Sequence, residues 1–419
     1  MKSRYGLYFL LMVLYIVVVS AWLHLYPLPG AGGIAFLCFS AVIVSALIIT
    51  WAAEAAEFSI SQGLAVAIVA FLQVVPEFMV EAVIAWKKDI DLMMANFTGS
   101  NRLLMGVGWP LIFVTADIYS RMKANKGIRF IELRPENIVE VAALFISSLY
   151  FVIVLVKRNL QVYDAIFLGS IFVGYMYVLR ILPEEEEEKK ELLLSMPRSL
   201  VNLKNEKKRG ILLAALFLAG GLTMWAVADP FLKSMIALAG GAGISDFVFI
   251  QWVAPFLSEF PEKVTAFYWA KSVRLAPMAL LNMISSKVNQ WTLLVSMIPI
   301  VYSLSMGRIS TIPLGPHHRE EILLTMMMTF YGCAALAKLR FTRSNAIILF
   351  LLWLAQFMFP FNFTFLPKLP IIGNSSRLVT SIVFGVLTVY ELVRHKSEFK
   401  FRLGVSETLR LATAKRERG

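Results

Sequence analysis

Two stretches set a proline beside a glutamate inside otherwise apolar sequence: "QVVPE", ending at Glu77, and "SEFPE", ending at Glu262. A helical proline lacks an N–H and crowds the carbonyl four residues back, so Pro76 would free the carbonyl of Leu72 and Pro261 that of Leu257. An acid at bilayer depth costs at least about 2.5–3.5 kcal/mol on insertion scales, so a lipid-buried glutamate needs a function or a partner. A freed carbonyl, a carboxylate and nearby hydroxyl or amide oxygens together make the oxygen cage that hard cations such as Na⁺ and Ca²⁺ take. Each Pro-Glu is followed by a small, polar cluster, "ANFTGSN" at 95–101 and "LNMISSK" at 281–287. Glu77 precedes Ser100 by 23 residues and Glu262 precedes Ser286 by 24. Asn96 and Ser100, like Asn282 and Ser286, are four apart and share a helix face.

Those residues need a membrane scaffold, and the composition supplies one. The 419 residues are 58% hydrophobic and 16% charged, with mean hydropathy +0.70, which excludes an ordinary soluble multidomain protein. About twelve apolar stretches are long enough to cross a bilayer: 6–26, 32–53, 61–86, 91–118, 136–157, 161–182, 211–240, 246–270, 276–306, 319–338, 344–361 and 375–394. The expected fold is an all-α polytopic membrane protein. The basic start "MKSRYG" leads into an apolar run too long for a signal peptide, so a retained first helix is expected.

The net charge of +12 is explained by placement rather than by nucleic acid. With both termini set in the cytoplasm, about 28 of the 40 Lys and Arg fall in loops on that side. The expected location is the cell (plasma or inner) membrane, with the lipid bilayer and inorganic cations as partners and no nucleic acid. Cys38 and Cys333 both fall in predicted spans and form neither a disulfide framework nor a zinc spacing.

The polar stretch "PEEEEEKKELLLSMPRSLVNLKNEKKRG" divides the chain. The expected organisation is an N-terminal membrane half at 1–182, a charged cytoplasmic linker at 183–210, a C-terminal membrane half at 211–394 and a basic cytoplasmic tail at 395–419. The Pro-Glu helices are the third and eighth spans, so they cross in opposite directions. The reading is an inverted-repeat, five-plus-five core with one extra helix at each end.

On these motifs the chain resembles the cation/calcium exchanger superfamily, whose halves carry patterns like G-T-S-x-P-E followed by G-N-x-x-G-S-N-x-x-N or D. The resemblance covers roughly 57–110 and 246–300. It implies that Glu77 and Glu262 are the central cation-binding acids, holding the metal ion, with Ser100, Asn101, Ser286 and Ser258 as oxygen ligands. Gln73 and Val74 stand where the pattern has hydroxyls, Glu259 replaces one in the second half, Lys287 replaces the Asn after Ser, and Leu104 and Gln290 occupy the last position. Gln73, Glu259 and Gln290 thus keep an oxygen at pattern positions. Arg102, Lys263 and Lys287 bring positive charge near Glu77, Glu81, Glu259 and Glu262. Glu259 and Lys263 are spaced for a local ion pair. Lys287, Lys263 and Glu81 are the candidates for charge compensation or coupling, with the Lys287 ammonium able to take the place of a bound cation.

The implied function is a secondary antiporter exchanging Ca²⁺ or another small cation against Na⁺ or H⁺ by alternating access, with transported cations as substrates and no cofactor. A membrane-embedded enzyme is disfavoured because the four histidines are scattered. His317 and His318 are expected in a polar turn. The alternative is a non-transporting scaffold or sensor of the same fold, for which the replaced ligand positions argue.

Overall fold

The computed structural model describes residues 14–15, 18–19, 30–56, 77–181, 195–203, 205–241, 243, 245–358, 376–400, 406, 408 and 410. The predicted span 6–26 lies almost wholly outside them, as do Gln73 and Pro76 of the first Pro-Glu motif, the first part of the linker and most of the tail. The described chain is almost entirely helical, and it divides into two compact units, one of residues 1–84 and 183–263 and the other of 85–182 and 264–419. Each unit therefore draws on both sequence halves.

The first unit contains α1 (Gly30–Ala56), α6 (Ser195–Val201), α7 (Glu206–Gly241) and α8 (Asp246–Ser258). Helix α1 lies along α7, and a small apolar core of Ile48, Ala52, Ala55, Leu200, Leu213 and Leu216 joins them to α6. Gly220 permits that approach, since a Cβ there would meet Ile49 at 2.6 Å. Residues 77–86 are helical. The predicted span 246–270 is two helices, α8 and α9 (Phe260–Ala270), bent at Glu259. Hydrogen bonds run through the bend, Glu259 N–H to Pro255 O at 3.0 Å and Lys263 N–H to Glu259 O at 3.1 Å. The break sits where Pro261 cannot donate.

The second unit is built around two polar helices, α2 (Ile90–Leu103) and α10 (Ala276–Asn289), each 14 residues long. Asp89 caps α2 by accepting from Leu92 N–H at 3.0 Å, while α10 starts with Pro277 in its first turn. Each is followed by a five-residue π turn, Leu104–Gly108 and Gln290–Leu294, and then by a further helix, α3 (Trp109–Ala124) or α11 (Val295–Met306). In the first π turn Gly106 lets Trp353 lie against the backbone, since a Cβ there would fall 2.3 Å from the indole Cγ.

The remaining elements are β1 (Phe130–Glu132), α4 (Ile138–Lys157), β2 (Asn159–Leu160) and α5 (Val162–Ile181), then β3 (Ile312–Pro313), α12 (Pro316–Leu336), β4 (Arg340–Thr342), α13 (Arg343–Met358) and α14 (Ser376–Arg394). Strand β1 pairs antiparallel with β4, and β2 with β3, so each ribbon joins one strand from either half of the sequence. Helix α12 packs on α14 and α4, and α11 packs on α5. Among the described helices, six are long and apolar enough to cross a membrane, the longest run being Glu206–Gly241 at 36 residues. The shorter α8 and α13 are also apolar.

Candidate functional site

In the first unit, Glu77 and Glu81 occupy successive turns of the 77–86 helix and are buried, at 2% and 0% exposure. Burial at these levels takes both carboxyls away from bulk water. Glu259 and Lys263, also buried, form an ion pair across the bend between α8 and α9. Lys263 is thereby engaged by the acid four residues before it. Glu262 and Ser258 have their backbone in α9 and α8, but their side chains lie outside the described residues, as does Gln73 altogether.

In the second unit, α2 presents a fully buried polar run: Asn96, Thr98, Ser100, Asn101 and Arg102. Thr98 satisfies its hydroxyl by donating to Met94 O at 2.6 Å, and Asn101 donates its amide to Phe97 O at 2.8 Å. That bond orients the Asn101 side chain and leaves its Oδ1 buried with no hydrogen-bond partner among the described residues. A carbonyl oxygen so placed is suited to a cation.

Helix α10 presents Ser286, Lys287 and Asn289, and the π turn after it opens with Gln290, all buried. Ser100 and Ser286 are each the eleventh residue of their helix, and Asn96 and Asn282 each the seventh. The twelfth residues, Asn101 and Lys287, meet: the Lys287 ammonium donates to Asn101 O at 3.4 Å and stands 4.7 Å from the centre of the Trp291 ring. A buried cation thus borders the polar faces of both helices. Trp291 is itself held by Ser148, which accepts from its indole N–H at 3.1 Å, and by stacking on Phe151.

Arg102 enters a buried network within the second unit. Its guanidinium donates to Thr98 O at 3.2 Å, to Gln356 Oε1 at 2.9 Å and to Glu321. Glu321 also pairs with Arg377 of α14. Arg102 therefore ties α2 to α12, α13 and α14 through a buried network. Sequence reasoning missed Glu321, Gln356 and Arg377, because their partner stands more than 50 residues away in each case. It also passed over Glu140, a lone acid two residues into α4 that is 2% exposed. The visible signal was an acid inside the apolar stretch 136–157.

His318 lies at the start of α12, where its Nδ1 accepts from Gly315 N–H at 3.2 Å and its Nε2 bonds Asp91 at 2.5 Å. This is a polar turn that joins two helix starts. Among the described residues no group of three or more His, Cys, Asp or Glu has the geometry to hold a metal ion. Cation binding in this unit would draw on neutral oxygens, for which Asn101, Ser100, Ser286 and Gln290 are the donors in place.

A multi-pass helical chain whose polar oxygens are buried in paired, interrupted helices is a membrane transporter in architecture. The chain belongs to the sodium/calcium exchanger protein family, which matches residues 29–180 and 212–362. Among solved structures it is similar to the H⁺/Ca²⁺ exchanger CAX, with 29% identity and a TM-score of 0.85 over 99% of this chain and 100% of that one. It also shares its fold with the Ca²⁺/H⁺ antiporter protein YfkE, at 11% identity and a TM-score of 0.56 over 83% of this chain and 99% of that one. No curated protein matches it.

Proposed function

We propose that the chain is a secondary active antiporter that exchanges Ca²⁺ or another small cation, with H⁺ as the preferred counter-ion and Na⁺ as the alternative. The observation that carries this reading is the duplicated element: a 14-residue helix with Asn and Ser at the same two positions, followed each time by a five-residue π turn. π turns concentrate at functional sites because they re-aim side chains and loosen the backbone ladder. The full-length likeness to an H⁺/Ca²⁺ exchanger supports both the class and the choice of proton.

Glu77 and Glu262 are the proposed cation-binding acids. Ser100, Asn101, Ser286 and Gln290 are the proposed neutral ligands, with Ser258, Glu259 and Gln73 as further oxygens. Lys287 supplies a fixed positive charge where the family pattern has an Asn, and Glu81 and Lys263 balance charge in the other unit. The proposed topology is two inverted five-helix repeats with a flanking helix on each side, twelve spans in all, both ends cytoplasmic, in the cell membrane. The proposed organisation keeps the halves 1–182 and 211–394, the linker 183–210 and the tail 395–419. Equal helix lengths, the contact between the twelfth residues of α2 and α10, and ribbons that exchange strands between halves support a twofold-related pair of repeats.

The test is cation flux into liposomes containing the purified full chain, driven by an imposed pH or Na⁺ gradient and repeated with Glu77→Gln. Gradient-driven Ca²⁺ uptake that vanishes in the variant supports exchange. Ca²⁺ binding without flux under either gradient would favour the second reading, a non-transporting sensor, for which the Lys287 replacement argues.

A further inference from the structure

Two acids occupy matching places in the second unit. Glu140 follows the last residue of β1 by eight positions, and Glu321 follows the last residue of β3 by eight. Both are buried, in α4 and α12 respectively. Their surroundings differ sharply. Glu321 is gripped by the guanidiniums of Arg102 and Arg377, so its charge is permanently matched. Glu140 forms no salt bridge to any described residue, and its Oε2 is buried with no hydrogen-bond partner.

An ionised carboxylate in such a place would lack water and a counter-ion, and of its two oxygens Oε2 would lack a donor among the described residues, the carboxyl being met by a backbone hydrogen bond at Glu140 itself. The neutral acid is the form that the surroundings can hold. The titratable groups around it come from the 3₁₀ turn, α5, α12 and α10; the π turn Gln290–Leu294 and β2 also pack on α4 and bring none. The preceding 3₁₀ turn brings Glu136, whose like charge acts on Glu140. From α5 comes Tyr175, whose phenol feels the Glu140 carboxyl and donates to Ser285 Oγ of α10 at 3.2 Å. Helix α12 brings Cys333, whose thiol points to the carbonyl of the adjacent Val141 at 3.7 Å, and α10 brings Lys287, which acts on that thiol. No group in this set is a fixed cation placed against Glu140, whereas its counterpart has two.

We propose that Glu140 is a second proton-binding site of this chain, separate from the Pro-Glu acids, which takes up and gives back one proton beside the Tyr175–Ser285 hydroxyl pair. Binding forms one O–H bond on the carboxyl and neutralises one negative charge; release breaks that bond and returns the proton to water. The transport consequence rests on the exchange reading above, but occupancy of the site by a proton does not.

Infrared spectroscopy of the purified full chain in lipid tests occupancy directly, through the C=O stretch of a protonated carboxylic acid at neutral pH. The band is expected in the wild type, absent in Glu140→Gln, moved in Tyr175→Phe and restored in Glu140→Asp. Spectra that are the same in wild type and Glu140→Gln, with both proteins monodisperse, would overturn the proposal. In liposomes, Glu140→Gln is expected to slow Ca²⁺ flux driven by a pH gradient by about tenfold and to flatten its pH profile, with equilibrium Ca²⁺ affinity within about twofold of wild type. Unchanged flux and an unchanged pH profile would overturn a role in transport. A wild type with the band but without flux under any gradient would overturn the exchange reading and leave the proton site standing.

Discussion

The buried network around Glu321 allows one perturbation to be worked through. Glu321→Gln keeps the shape and removes the charge, taking from the Arg102 guanidinium, with 2% of its side chain exposed, the carboxylate it pairs with. Removing one partner of a buried pair costs about 3–5 kcal/mol, because the stranded charge keeps its desolvation penalty. Arg377 adds little, since 23% of its side chain is exposed and its charged end can turn to water. Thr98 O and Gln356 remain to bind Arg102, so the lower end, about 3 kcal/mol, is expected. The assay is unfolding of the purified chain in mixed micelles, followed by tryptophan fluorescence. The double variant Arg102→Met with Glu321→Leu removes both charges, and apolar replacement of a buried pair is often nearly neutral. It leaves Gln356 without its donor, a loss of about 1–3 kcal/mol, so the double variant should be no worse than Glu321→Gln alone. A loss below about 1 kcal/mol for Glu321→Gln, or a double variant much worse than the single, would refute the claim that a desolvated charge pair holds these helices together.

Other outcomes follow from particular contacts. Gly106→Ala drives a Cβ to 2.3 Å from the Trp353 side chain, and overpacking of this kind should cost about 1–3 kcal/mol in the same unfolding assay. Lys287→Asn should change the cation selectivity and the pH dependence of flux in liposomes, and an unaltered profile would remove Lys287 from the coupling scheme. Desolvation pushes Glu132, on β1, up, but the hydrogen bonds from Arg340 and Lys400 and their positive charges together hold it below the usual carboxylate range. A lowered carboxyl contributes its attraction above the ordinary carboxylate range and loses it as pH falls through the lowered value. The contact at Lys400 should therefore hold at neutral pH and loosen only in strong acid, read as faster protease cleavage near residue 400.

Much of the helical layout is written in hydropathy. The stretches read at 136–157 and 161–182 are α4, Ile138–Lys157, and α5, Val162–Ile181. The polar clusters around Ser100 and Ser286 were legible because amides and hydroxyls are conspicuous in apolar sequence. Their π turns were not, since "LMGVG" and "QWTLL" share no common pattern, and the Trp353 side chain that lies against Gly106 comes from far along the chain. Arg102 was visible as a charge, but its partner Glu321 stands 219 residues away, beyond any local spacing rule. The strands escaped notice because runs of two or three residues carry no periodicity. The bend at Glu259 followed from Pro261.

The strand exchange has a consequence for how the chain is made. Residues 130–132 can close their ribbon only on 340–342, and 159–160 only on 312–313. The ribosome must therefore pass residue 313 before the second strand finds its mate and residue 342 before the first does. Until then, the nascent first half holds both of its strands open and carries Arg102 ahead of Glu321, the acid that pairs with it.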